Sequence, residues 1–234
     1  MARLNRLVIA SYPHLLMQRA RSGCVVYRDE EDAFTFGEAL RLALKQGGVD
    51  LHAPVLLPDR WMLLVTPQSA PAISELMQGV GRRYVGHINR RYGLSGGLWA
   101  SRFCSTVIDA QVWTLPCMAF MDLAPVRAGL VGEAKDHRYG SHGHYVGLHH
   151  DRSLVVPPAV WNLGNTPFAR EAAYAEMVHQ GLPVARREAI EHALQRGWAL
   201  GDPAFIEQLQ LQTARRLQPR PRGRPVGTSA SSSK

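Results

Sequence analysis

Ile73, Leu76, Met77, Val80, Tyr84 and Ile88 recur at three- and four-residue steps, a spacing that lines all of them along one face of a helix. The run predicts a long amphipathic helix that Gly93 ends, because glycine readily takes the left-handed conformation that closes a helix. Two shorter apolar segments, 52–57 and 61–65, flank a tight Pro58-Asp59 turn and predict paired strands. Residues 103–108 alternate and are β-branched, which predicts a further strand. Cys24-Val25-Val26-Tyr27 is a short β-branched run read as extended. After the charged turn Arg28-Asp29-Glu30-Glu31-Asp32, the residues Phe34, Ala39, Leu40, Leu42, Ala43 and Leu44 predict a helix closed by Gly47-Gly48. Helices alternating with strands across tight turns suit an α+β fold with an antiparallel sheet.

Farther along, Pro116 falls where a helix should run up to Phe120, so either Thr114 caps a late start or the helix is kinked. Composition shifts after Gly147. Two helices are expected at 168–180 and 186–197, and a third at 204–217 with Asp202-Pro203 as cap and first turn. This organises the chain as a principal domain over 1–147, a helical C-terminal region over 148–217 and a basic tail over 218–234. The stretch from Arg215-Arg216 onward is rich in Pro, Arg, Gly and Ser without a core-forming pattern, and is expected to be disordered alone.

Composition narrows the partner rather than the fold. The 234 residues are 46% hydrophobic and 20% charged, as in a globular protein, and carry a net charge of +8. With a pI of about 9.9, that balance points to a polyanion. The sequence offers neither a transmembrane run nor a signal peptide, and Cys24, Cys104 and Cys117 are odd in number and widely spaced. A cytoplasmic protein with reduced thiols is expected, and no zinc site.

Four stretches, in order, carry a family likeness. They are Leu51-His52-Ala53-Pro54-Val55-Leu56-Leu57-Pro58 with Leu63-Leu64-Val65; Gly81-Arg82-Arg83-Tyr84-Val85 through Ile88-Asn89-Arg90-Arg91-Tyr92-Gly93; Ser95-Gly96-Gly97-Leu98-Trp99 with Ser101-Arg102-Phe103; and Pro125-Val126-Arg127-Ala128-Gly129-Leu130-Val131. Together they resemble the HUH-type, IS200-like transposases, in particular the REP-associated tyrosine transposases, from near Met1 to about Gly147. The resemblance implies a ferredoxin-like antiparallel sheet. It also implies a tyrosine that attacks single-stranded DNA and a magnesium or manganese ion held by a histidine pair. Carried over position by position, Arg60 and Met62 stand where the histidines would be, Phe120 where the nucleophile would be, and Ala124 where a further side chain would complete the metal site. Phenylalanine has no oxygen to attack with, and arginine, methionine and alanine offer a hard cation no ligand. Arg60 could still supply a fixed positive charge to phosphate.

The expectation is therefore a DNA-binding protein that neither cuts nor joins and has no cofactor. Its partner would be single-stranded or hairpin DNA. Arg82, Arg83, His87, Arg90 and Arg91, with Arg102 beyond the helix, form a basic set with no acid between Leu76 and Ile108, which suits phosphate contact. Trp99 is a candidate for stacking on a base, as are Trp61 and Trp113. Pro221-Arg222-Gly223-Arg224-Pro225 resembles the core of an AT-hook, with Arg222 and Arg224 suited to a narrow minor groove, or is plain tail. Two rivals stay open: a working nickase with a substitute nucleophile at Tyr84 or Tyr139 and ions held by His142 and His144, or a remnant that binds nothing specific.

Overall fold

The computed structural model describes residues 6–219. Its sheet is built by β1 (His14–Arg19), β2 (Val49–Leu56), β3 (Arg60–Pro67) and β4 (Cys104–Val107), in the spatial order β2-β3-β1-β4. All neighbouring strands are antiparallel. Helix α1 (Glu30–Leu44) connects β1 to β2, and α2 (Ala72–Tyr92) connects β3 to β4. This is the ferredoxin-like β-α-β-β-α-β arrangement, with β1 and β3 at the centre.

Alternation along the strands divides the core in two. Leu16, Trp61, Leu63 and Val65 face α1 and α2, where they meet Phe36, Leu40, Ile73, Val80 and Tyr84. Leu15, Met17, Met62 and Leu64 face the other way, against α3 (Ala110–Asp122), α7 (Pro167–Gln180) and α8 (Val184–Arg196), through Phe120, Tyr174, Val178, Ile190 and Leu194. Residues on both sides of Gly147 thus pack into one apolar cluster. Leu200 also extends the sheet edge, its N–H donating to Val107 O at 2.9 Å while its carbonyl accepts from Asp109 N at 2.8 Å.

The helices begin and end for local reasons. Asp29 caps α1 by accepting from Asp32 N, and Gly93 closes α2 at φ 61°, as expected. Thr114 caps nothing. The cap of α3 is Asp109, whose side chain accepts from Gln111 N and Val112 N, and Pro116 lies inside the helix. The proline cannot donate to Val112 O, and Arg186 Nη1 of α8 stands 3.4 Å from that oxygen instead. Thr114 Oγ1 donates back to Ala110 O at 2.7 Å, so the helix runs through. Asp202 caps α9 (Pro203–Gln210) through Phe205 N, and this helix ends well before 217.

Two expectations fail. Residues 24–27 form no strand; they bend, and Val26 N donates to Pro58 O at 2.6 Å. The strand that fills the centre of the sheet is β1, where Leu15 and Leu16 are buried on opposite faces, so no polar alternation marks it. The chain from 215 to 217 is also not a bare tail, because Leu217 is buried against Leu7, Ile9 and Leu209.

His14, buried at the start of β1, has Nδ1 2.7 Å from Tyr12 O and Nε2 3.3 Å from Ile9 N. Only the neutral ring protonated at Nδ1 satisfies both, donating to the carbonyl and accepting from the amide. Burial pulls its pKa down to about 4 from 6.5. Between those values the unfolded chain binds a proton that the folded chain refuses, so stability present above pH 6.5 falls as the pH drops toward 4. The loss from this group is expected to approach about 3 kcal/mol. Burial likewise lowers His52, His137 and His144. Urea unfolding at stepped pH checks this, and stability that stays flat across the window would refute it.

Candidate nucleic-acid site

Strand register makes the first wall of the site. Arg19 pairs with Arg60 and Met17 with Met62 across β1 and β3, which puts all four on the sheet face turned toward α3 and α8. Phe120 reaches the same place from the end of α3. Arg127, at the end of the short α4 (Ala124–Arg127), folds back over it, its guanidinium 4.5 Å from the ring centroid and its Nη2 donating to Phe120 O at 2.7 Å. Glu191, Leu194 and Gln195 of α8 close the far side, leaving a cavity of about 190 Å³. Ala124 does not line it but lies buried in the same apolar cluster. Three of the four positions implied by the resemblance, Arg60, Met62 and Phe120, therefore meet in one cavity although they lie up to 60 residues apart in sequence.

The cavity is electropositive. Burial draws the pKa of Arg127 down to about 10; Glu191 opposes the shift, and Arg187 and Arg60 reinforce it. Arg60 is paired with Asp59 at 2.7 Å, and Arg19 is exposed with no ion-pair partner among the described residues. The magnesium or manganese ion implied by the resemblance does not fit these side chains. A hard cation takes six or more oxygens as a rule, and the lining offers one carboxylate and one amide beside guanidiniums and thioethers. Among the described residues no group of three or more His, Cys, Asp or Glu could hold a metal. None of the lining side chains carries a hydroxyl.

The basic face of α2 lies across the sheet from this cavity, and it is less bare than its sequence window implies. Arg91 is ion-paired to Asp29, Glu31 and Asp32 at 2.7, 2.9 and 2.6 Å, all from the start of α1. Asp32, with a fully buried side chain, also accepts from Tyr92 Oη at 2.7 Å and Arg28 N at 2.9 Å, and His87 Nε2 stands 3.2 Å away. Burial pushes the pKa of Asp32 up, but these hydrogen bonds outweigh it and hold the carboxyl below its ordinary value. The compensating acids missing from 76–108 come from another helix, which removes Arg91 and His87 from the set of uncommitted cations. Arg82, Arg83, Arg90 and Arg102 remain exposed without ion pairs among the described residues, Arg83 donating to Gly79 O at 3.1 Å.

The tryptophans and histidines divide similarly. Trp61 is buried, and the half-buried Trp99 packs edge-on to it with centroids 6.1 Å apart; Trp113 lies beneath Arg186. His142 and His144 do not converge. His142 Nδ1 is 3.0 Å from Asp122 Oδ2, a carboxylate the sequence reading did not connect with it, whereas His144 Nδ1 accepts from Asp151 N at 3.1 Å. Arg222 and Arg224 lie outside the described residues. Arg19, Arg127 and Glu191 were missed as site residues. Arg127 had stood in the Pro125-Val126-Arg127 segment that carries the resemblance, but the other two depend on strand register and on helix packing.

No protein-family model and no curated protein matches the chain. Among solved structures, a candidate transposase from Deinococcus radiodurans aligns at 21% identity over 55% of this chain and 92% of its own, with a TM-score of only 0.36. A REP-associated tyrosine transposase bound to a REP hairpin aligns at 14% identity over 68% of this chain and 93% of its own, with a TM-score of 0.55. At that identity the likeness bears on architecture alone, and it agrees with the four-stranded antiparallel sheet: this chain has the fold of the REP-associated tyrosine transposase.

Proposed function

We propose that this protein binds DNA as a non-cleaving relative of the tyrosine transposases, acting in the cytoplasm on single-stranded or hairpin DNA. The observation that carries the reading is the cavity where Arg60, Met62 and Phe120 meet, which has arginines in its walls and neither a hydroxyl nor an ion-ligating set. Guanidinium groups pair with phosphate by charge-assisted, often bidentate hydrogen bonds and need no metal to do so. The net charge of +8 and the exposed Arg82, Arg83, Arg90 and Arg102 favour the same partner. The structural neighbour's own complex with a REP hairpin makes a hairpin the first substrate to try. Among the described residues no helix is long and apolar enough to cross a membrane.

The rival with a relocated nucleophile finds little support. Tyr84 is buried on the α1 and α2 side of the sheet, where its hydroxyl donates to Val26 O and burial pushes its pKa far up. Tyr139 is packed edge-on against Tyr27 and His137, with centroids 5.2 and 5.9 Å away. The reading is tested by fluorescence anisotropy with a hairpin oligonucleotide in manganese and in EDTA, where equal, salt-sensitive binding is expected. Absence of binding to hairpin and to unpaired strands alike would sink it.

Manganese or magnesium should also leave the melting temperature unchanged, because an ion without a site on the native state cannot shift its unfolding equilibrium. A saturable rise of several degrees at micromolar manganese would reveal a site among residues beyond those described, or a ligand set that assembles on binding.

A further inference from the structure

The cavity beneath Arg127 has a size and a charge that suit a narrower ligand than DNA in general. Its volume of about 190 Å³ is below the usual range of small-molecule pockets, roughly 300 to 1,000 Å³. It would hold roughly six water molecules at liquid density, which is too little for a nucleoside and enough for a phosphate group with part of its solvation. Met17, Met62, Phe120 and Leu194 make apolar walls that offer a base edge no hydrogen bond. The polar groups are arginines. Arg19, Arg60 and Arg127 line the cavity, and Arg187 is close enough to act on Arg127; against these four cations stand Glu191 and Asp59.

Donors are left over as well as charge. Each guanidinium has five N–H groups. Arg127 spends one on Phe120 O and Arg60 one on Asp59, while the Arg19 guanidinium makes no hydrogen bond among the described residues. An internal phosphodiester carries one negative charge and must bring a nucleotide on each side of itself into a small space. A phosphomonoester carries about −1.5 to −2 near neutral pH, presents three acceptor oxygens and has a single ester link leading out. The second matches the surplus of cations and enters end-on.

We propose that Arg19, Arg60 and Arg127 form a metal-independent seat for a phosphomonoester, the terminal phosphate of a DNA strand. This rests on the DNA-binding reading and narrows it to strand ends. The guanidinium groups are carried on β1, β3 and α4, with Arg60 at a position where the resemblance implies a metal ligand, so the seat holds a phosphate without an ion to activate it.

The test compares one single-stranded oligonucleotide in three forms, with a 5′-phosphate, with a 3′-phosphate, and with hydroxyls at both ends, by anisotropy in EDTA. One charge-assisted contact is worth roughly tenfold in affinity, so at least one phosphorylated form should bind about tenfold or more tightly than the hydroxyl form. The preference should fall to within about twofold in Arg19→Gln and in Arg60→Gln, whose partly exposed side chains can be replaced without opening the core, with melting curves verifying the fold. Inorganic phosphate should compete only at far higher concentration than the oligonucleotide. Equal affinity for all three forms overturns the seat while leaving DNA binding intact. No binding of any form overturns both readings. Competition by inorganic phosphate as strong as by the phosphorylated strand overturns the strand end as occupant.

Discussion

Incubated with a labelled hairpin and manganese, the purified protein is expected to give neither a nicked strand nor a denaturant-resistant adduct. The attacking atom of a tyrosine transposase is a phenol oxygen, and Phe120 has none. Phe120→Tyr alone should not restore cutting. It returns an oxygen to the cavity, but Arg60, Met62 and Ala124 still leave the scissile phosphate without the ion that would polarise it and stabilise the leaving oxygen. Arg127, already donating to Phe120 O and stacked over the ring, could neutralise charge on a phosphate but cannot coordinate a cation. The measurement is denaturing electrophoresis of the labelled strand over hours for the natural sequence and the variant. A covalent product from the natural sequence would end the non-cleaving reading outright. A product from Phe120→Tyr alone would show that guanidinium groups suffice for the chemistry.

Much of the fold was legible because its periodicities are strong. The stripe from Ile73 to Ile88 and the Gly93 stop mark α2 without ambiguity, and the turn at Pro58-Asp59 fixes the β2–β3 hairpin. β1 was not legible. Both of its faces are covered, by α1 and α2 on one side and α3 and α8 on the other, so His14-Leu15-Leu16-Met17-Gln18 has no alternation, and Leu, Met and Gln favour helices in isolation. Missing β1 also hid Arg19, whose place in the cavity follows only from its register opposite Arg60. The positions of Arg60, Met62 and Phe120 came from resemblance; that they meet came from the structure. The reading of α2 as wholly unneutralised failed because Arg91 finds its acids about 60 residues upstream. Local charge windows cannot report pairings made by tertiary packing.

That pairing separates the ion-paired arginine of α2 from those left exposed. Asp32→Ala should destabilise the protein by about 3 kcal/mol, the cost typical of breaking a buried ion pair from one side, because Arg91, His87 and Tyr92 all lose their common acceptor. In a chain of this length that is about 6 to 12 °C in Tm, read by thermal unfolding. Arg91→Ala should act in the same direction, since it leaves the Asp32 carboxylate without its cation. Arg82, Arg83 and Arg90 are exposed and lack ion pairs among the described residues, so neutralising all three should leave Tm nearly unchanged. If these three contact phosphates, their loss should instead flatten the log–log salt dependence of DNA binding by about two to three units, at about 0.7 to 0.9 per contact. On that expectation the two readouts exchange places between neighbouring residues of one helix: Arg91 should govern stability and Arg90 the salt slope. A normal Tm in Arg91→Ala together with a slope reduced by about one would return Arg91 to the DNA contacts and show that its acids release it on binding. An unchanged slope in the triple variant would leave the cavity under Arg127 as the place where the polyanion is held.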